Sequence, residues 1–276
     1  MDHACRVTLP GGLFVDGNVK REVWLRPLTG HLELRLAELA AAQANSPSKI
    51  SALLDSAIVR DEECPEGGLA SNLCVADRQY LMLTLARMLG GDHRWLTAQC
   101  ERCDAPFDIE IALPALPVQL AGEGYPFATT RVRDADVVLR VPTGDDQERV
   151  ANAVSEQAAL QSLVESCVVR VNGSAPPPSF LESCTPRDID EMEAALEAVA
   201  PSLGTTMSVV CPECGAEQLM GLDPYAMAGV SGEQLLGELH TLASRYHWGE
   251  EAILSLNRSR RLFYLRLIER DRGLAS

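Results

Sequence analysis

Two Cys-x-x-Cys pairs, Cys100/Cys103 and Cys211/Cys214, constrain this chain more than any other feature of its sequence. The motif serves two main chemistries. A redox pair sits where a strand gives way to a helix, whose N-terminus lowers the first thiol's pKa. A zinc knuckle sits in a tight turn between two strands and presents both thiolates to one metal. The flanks favour the knuckle. Phe107, Ile109 and Ile111 alternate with Asp108 and Glu110 after the first pair, which is the period of a strand. After Cys211-Pro212-Glu213-Cys214, Gly215 allows the left-handed conformation that turns backbone N–H groups toward sulfur, and Asp104 fills the matching place. A closed structural zinc site takes four ligands, and each knuckle supplies two. Cys100, Cys103, Cys211 and Cys214 are therefore expected to hold one structural Zn2+ per chain. The pairs lie much further apart than the roughly 12 to 20 residues of common zinc motifs, so the ion would tie together hairpins distant in sequence. Disulfides, a redox pair or unoccupied thiols are the alternatives. Nine cysteines cannot all pair internally, and Cys5, Cys64, Cys74, Cys167 and Cys184 stand alone and read as small hydrophobes.

The residues before each pair repeat a plan. Val7 and Leu9 lead to a turn at Pro10-Gly11-Gly12, and Val23-Trp24-Leu25-Arg26-Pro27-Leu28-Thr29-Gly30 follows. Leu32, Leu36 and Leu39 then have helical spacing, Ser46-Pro47-Ser48 opens a second helix, and Asp77 reads as the cap of a third that Gly90-Gly91 stops. Beyond a loop rich in Pro and Gly, Thr129–Arg133 and Val137–Leu139 read as a hairpin, and Leu139-Arg140-Val141-Pro142-Thr143-Gly144 parallels the earlier Leu-Arg-x-x-Thr-Gly junction. Helices follow again, with Ile189, Met192, Leu196 and Val199 in one stripe, and then the second knuckle. The expected fold is α+β, an internal duplication of hairpin, helices and knuckle hairpin around a shared four-cysteine site. Its boundaries fall at 1–113 and 127–223, followed by a helical tail at 231–276.

The chain has 39 Asp and Glu against 24 Lys and Arg, a net charge of -15. That balance opposes nucleic acid, whose phosphates need a basic face, and anionic membrane surfaces. No apolar run reaches the roughly 18 residues of a membrane span, and the N-terminus lacks the basic start and apolar stretch of a secretory signal, so a cytosolic protein is expected. The histidines form no ligand cluster, His240 reads as packed or capped within its helix, and no phosphate-cradling loop, metalloprotease helix or nucleophile elbow occurs. A non-enzymatic protein without a small-molecule substrate is expected.

The tail carries the one strongly basic stretch. Arg258, Arg260, Arg261, Arg266, Arg270 and Arg272 surround Leu262, Leu265 and Ile268 in a final helix that Asn257 caps. The helix dipole favours positive charge only in the last turn, so the arginines at its start require an acidic surface facing them, this protein's own or a partner's. Arg258, Arg260, Arg261 and Arg266 are accordingly assigned to contact with a partner.

The tail segments Leu235–Ala243, Tyr246–Leu254 and Arg260–Leu265 carry a resemblance, together with Leu25–Gly30, Pro142–Asp145 and Cys211–Gly215. In that order they resemble the baseplate hub assembly proteins of T-even-type contractile phages and related contractile injection systems. The resemblance implies a structural or chaperone-like role in building the baseplate or tail hub, with other baseplate or tail-hub proteins as partners. It implies a cytoplasmic location during assembly and, for a protein that stays, a place in the finished tail particle. Two other functions compete on chemistry: a thiol-dependent enzyme, redox or nucleophilic, and a zinc-containing nucleic-acid adaptor working through the Arg-rich tail.

Overall fold

The computed structural model describes residues 4–42, 46–59, 68–271 and 273; Cys64 and Arg272 lie outside the described residues. β1 (Cys5–Val15) and β2 (Asn18–Leu25) form the first hairpin. Its turn is Asp16-Gly17, both at positive φ, and not Pro10-Gly11-Gly12. Those residues instead make an irregularity inside β1, between Thr8 and Leu13. The reason lies on another element: the backbone N–H groups of Gly11 and Gly12 donate to the two carboxylate oxygens of Asp77, at 2.8 and 2.7 Å. Asp77 is thus committed to the hairpin. The N-cap of its helix is Cys74, which corrects the expectation that Asp77 caps it.

Three helices follow, α1 (Gly30–Ala41), α2 (Ser46–Ala57) and α3 (Val75–Gly90), the last preceded by a 3-10 turn at Ala70–Asn72 and ended by Gly91 at φ 86. β3 (His93–Gln99) and β4 (Pro106–Ala112) make the second hairpin. The chain continues through β5 (Val118–Gln119) to a three-stranded sheet of β6 (Phe127–Val132), β7 (Ala135–Arg140) and a later β8 (Val168–Val171). Between β7 and β8 lie α4 (Gly144–Ala151) and α5 (Glu156–Cys167). After β8 come α6 (Pro178–Glu182), α7 (Pro186–Val199) and β9 (Ser202–Leu203), which pairs with β5. β10 (Thr206–Val210) and β11 (Glu217–Gly221) form a further hairpin. The chain ends in α8 (Gly232–Tyr246), α9 (Glu250–Leu254) and α10 (Arg258–Asp271). The fold is mixed, with helices packed on small antiparallel sheets, in agreement with the α+β class read from the sequence.

The two Leu-Arg-x-x-Thr-Gly junctions do the same local job. Thr29 caps α1, and Thr143 caps α4 through a capping box with Asp146. Each then pairs with the cap of a distant helix. Thr143 bridges Cys74, and Gly144 N–H donates to Leu73 O at 3.0 Å, joining α4 to α3. Thr29 bridges Asn257, and Gly30 N–H donates to Leu256 O at 3.2 Å, joining α1 to α10. The glycines are required by this approach: a Cβ on Gly144 would collide with the Arg78 guanidinium, and one on Gly30 would stand 2.9 Å from Leu254 Cα.

Beside each junction a fully buried arginine occupies the fourth position of the receiving helix. Arg78 donates to Ser51 Oγ, Ala70 O and Pro47 O. Arg261 donates to Glu238 and Glu33, both at 2.7 Å, and Arg258 also pairs with Glu33. The acidic surface facing Arg258 and Arg261 is therefore this chain's own, which corrects their assignment to a partner. Arg261 has no exposed surface, because two carboxylates from α1 and α8 enclose it. Arg260 and Arg266 are exposed. His240, read as packed, is exposed on α8, and the tail turn is held instead by Trp248 stacked 4.8 Å from Tyr246.

At the end of β7, Arg140 clamps buried Asp146 of α4 with two hydrogen bonds of 2.6 and 2.8 Å. Burial alone would raise the Asp146 pKa, but the Arg140 and Thr143 donors hold it down to about 2. Since an unfolded Asp titrates near ~3.9, the clamp's contribution is present above that pH and is lost as pH falls toward 2. Stability of the native chain is expected to drop over that window, and Asp146→Asn is expected to flatten the drop in denaturation midpoints measured against pH. Removing one partner of a buried pair costs about 3–5 kcal/mol. Arg261→Met is thus expected to destabilise the chain by that order in urea unfolding, while Arg260→Glu stays within about 0.5 kcal/mol as an exposed substitution.

Candidate metal centre

Each cysteine pair lies in the turn of a two-stranded hairpin, between β3 and β4 or between β10 and β11. The two turns have the same backbone. Asp104 and Gly215 both adopt left-handed conformations, with φ of 62 and 67. Asp104 N–H donates to Cys100 O at 2.9 Å and Gly215 N–H to Cys211 O at 3.0 Å. Cys100 N–H then donates to Ala105 O and Cys211 N–H to Ala216 O, closing both loops. The Asp and Gly were legible as turn residues because few other residues tolerate this conformation.

What brings the turns together is the packing behind them. Ala98, Phe107 and Val209 form a small core with Cys100 and Cys211, flanked by Met207 and Met220. The Gln218 side chain adds a polar tie, accepting from Glu101 N–H at 3.0 Å and donating to Gln99 O at 2.9 Å. Nothing in the sequence marked Gln218, since a half-buried Gln on a strand has no distinguishing pattern.

The four sulfurs lie within 4.8 Å of one another. Cys100 Sγ is 3.6 Å from Cys214 Sγ, and Cys103 Sγ is 3.7 Å from Cys211 Sγ, so close approaches cross between the hairpins. These separations are far beyond the ~2.05 Å of a disulfide. They match a tetrahedron: metal–sulfur bonds of ~2.3 Å imply sulfur–sulfur edges of about 3.8 Å. The donor set, all thiol and four in number, fits a soft or borderline cation such as zinc.

Electrostatics points the same way. The backbone N–H groups of Cys103 and Arg102 aim at Cys100 sulfur and hold its thiol down to about 6. At Cys103 the Ala105 N–H also lowers the pKa, but the crowded sulfurs of Cys214 and Cys100 push it up to about 12. One thiolate forms readily, and each further one meets the negative charge of its neighbours unless a cation compensates. Among the described residues this is the one cluster of three or more potential ligands placed to hold a metal ion. Of the lone cysteines, Cys74 and Cys167 are buried, as expected, Cys184 is half-buried and Cys5 is exposed. Burial pushes the Cys74 and Cys167 thiols up to about 12, which makes them poor nucleophiles.

The family model of the T4 bacteriophage base plate protein matches residues 15–224, a span that contains both knuckle hairpins and ends before α8. The chain belongs to this family of phage baseplate proteins. No curated protein and no solved structure matches it. No helix among the described residues is long and apolar enough to cross a membrane.

Because the ligands must lose protons to bind, metal occupancy is expected to fall on acidification. Release of a colorimetric zinc indicator signal on acidification of zinc-loaded protein, absent in Cys100→Ser, checks this.

Proposed function

We propose that this protein is a non-enzymatic structural or assembly component of the baseplate hub of a contractile tail, with an internally duplicated core stapled by one zinc ion. The observation that carries the role is the baseplate family match across both hairpins. The tetrahedral spacing of Cys100, Cys103, Cys211 and Cys214 supports the ion. Its role is structural: it joins two hairpins that pack through a small core and that sequence alone leaves far apart.

The duplication is supported by register. Cys100 and Cys211 are 111 positions apart, as are Cys103 and Cys214, and so are Cys74 and Thr185, the N-caps of α3 and α7. α3 packs on the β1–β2 hairpin as α7 packs on β6. The proposed units span 1–113 and 127–223, and 231–276 forms a helical tail that clasps α1. Partners are other baseplate or tail-hub proteins, met in the cytoplasm during assembly, with Arg260 and Arg266 as the exposed cations of the last helix. A chaperone-like role fits an acidic protein whose surface steers basic partners. The thiol-enzyme reading has less support, since the pairs sit between strands and the sulfurs face one another. The nucleic-acid reading loses Arg258 and Arg261 to internal ion pairs.

Elemental analysis of the purified chain is expected to give one zinc per chain; none, or two, removes the shared site. Cys211→Ser is expected to lose the ion and lower the melting temperature of the whole chain. Arg260→Glu with Arg266→Glu is expected to keep fold and zinc while slowing incorporation into assembling tails, with a weaker dependence on salt. Unchanged incorporation counts against these two residues as partner contacts.

A further inference from the structure

The inference concerns a groove between α5 and α7, and it rests on the duplication proposed above. The 111-residue offset carries Met82, Leu85 and Ala86 of α3 onto Glu193, Leu196 and Glu197 of α7, and Leu89 onto its C-cap, Ala200. α2 and α5, both of 12 residues, correspond at an offset of 110, which carries Leu53, Leu54 and Ala57 onto Leu163, Val164 and Cys167. Both sets describe the same face of a helix pair.

In the first unit that face is covered by the chain itself. Tyr225 and Ala228 pack on the cluster that holds Met82 and Leu85. Met227 and Ala228 pack on the one that holds Ala86, and Ala228 and Val230 on the one that holds Leu89. The segment Tyr225–Val230 therefore lies along α3. Its small Ala228 packs in all three clusters, while Ala226 and Gly229 are exposed.

In the second unit the corresponding residues line an open, mostly apolar groove of about 560 Å³. Leu160, on its wall, is 43% exposed. Two substitutions distinguish the open face from the covered one: exposed Glu193 and Glu197 stand where the first unit has buried Met82 and Ala86. Neither carboxylate has an ion-pair partner among the described residues. A groove with apolar walls and unpaired acids takes an occupant that is apolar on one side and basic at its edge.

We propose that this groove receives a short apolar segment of another baseplate protein, similar in chemistry to Tyr225–Val230 and carrying Lys or Arg against Glu193 and Glu197. A second copy of this chain fits less well. Its own Tyr225–Val230 is already engaged on α3, and two chains of net charge -15 repel.

The test uses the full-length chain and a labelled synthetic peptide with the sequence of residues 223–231 followed by two lysines. Fluorescence anisotropy is expected to show saturable binding that Leu160→Glu abolishes while the circular dichroism spectrum is unchanged. Glu193→Lys with Glu197→Lys is expected to weaken binding about tenfold and to remove its salt dependence, and a peptide ending in two glutamates is expected to recover affinity for that variant. No binding, or binding that both variants leave unaltered, overturns the proposal. So does a dimer of the native chain that Leu160→Glu turns into monomer, because the occupant is then a second copy. Zinc content is read on the same samples: one zinc with no peptide binding removes the docking groove and leaves the metal-stapled baseplate role standing.

Discussion

Four thiols within 4.8 Å of one another are the constraint on which the centre of this structure depends. As thiolates they repel, and as thiols they bring little attraction, so their convergence has to be compensated by a cation or opposed by packing elsewhere. Packing also holds the hairpins from behind: Ala98, Phe107 and Val209 form a small core, and Ile109, Ile111, Met207 and Met220 join the cluster that holds Leu83 and Ala86 of α3. A cation bound between the turns would compensate the thiolate charge. The two turns share backbone geometry to within a few degrees of φ at Asp104 and Gly215, and each brings two sulfurs to the cluster.

Away from that centre, the chain is closed by a second device used twice. A Thr-Gly helix start lies against the cap of a distant helix, and a buried arginine fills the corner. At α4 and α3 the arginine is Arg78, satisfied by a hydroxyl and two carbonyls. At α1 and α10 it is Arg261, satisfied by Glu33 and Glu238. The consequence is an interlock. The helix that opens the later part of the chain is received by α3, and the helix that opens the earlier part is received by the tail. The tail therefore helps to hold α1 and is not a free appendage, even though the family match ends before it.

Much of the local structure was legible because it is set by near neighbours. The α7 stripe of Ile189, Met192, Leu196 and Val199 packs as one face, and the knuckle turns follow from Cys-x-x-Cys with Asp or Gly next. The misreadings share a cause. Pro10-Gly11-Gly12 looked like a turn but is an irregularity within β1, because Asp77, 66 positions from Gly11, uses its carboxylate on those N–H groups instead of capping its helix. The arginines of α10 looked like one basic patch, yet Arg261 points inward and Arg260 outward, since neighbouring positions on a helix face different directions and only the packing of α8 and α1 decides which is buried.

The sequence by itself determined most of the elements and marked the four cysteines that converge. The strand period around each cysteine pair, the need of a closed zinc site for four donors, and the Thr-Gly caps are local consequences of residue type and spacing. Only the tertiary structure decided which groups meet. That Cys100 lies 3.6 Å from Cys214, that Arg261 faces Glu33 across 228 positions, and that a groove between α5 and α7 stays open depend on long-range packing. Residue periodicity carries no information about which distant surface will cover a given face, so those pairings follow from shape and charge complementarity alone.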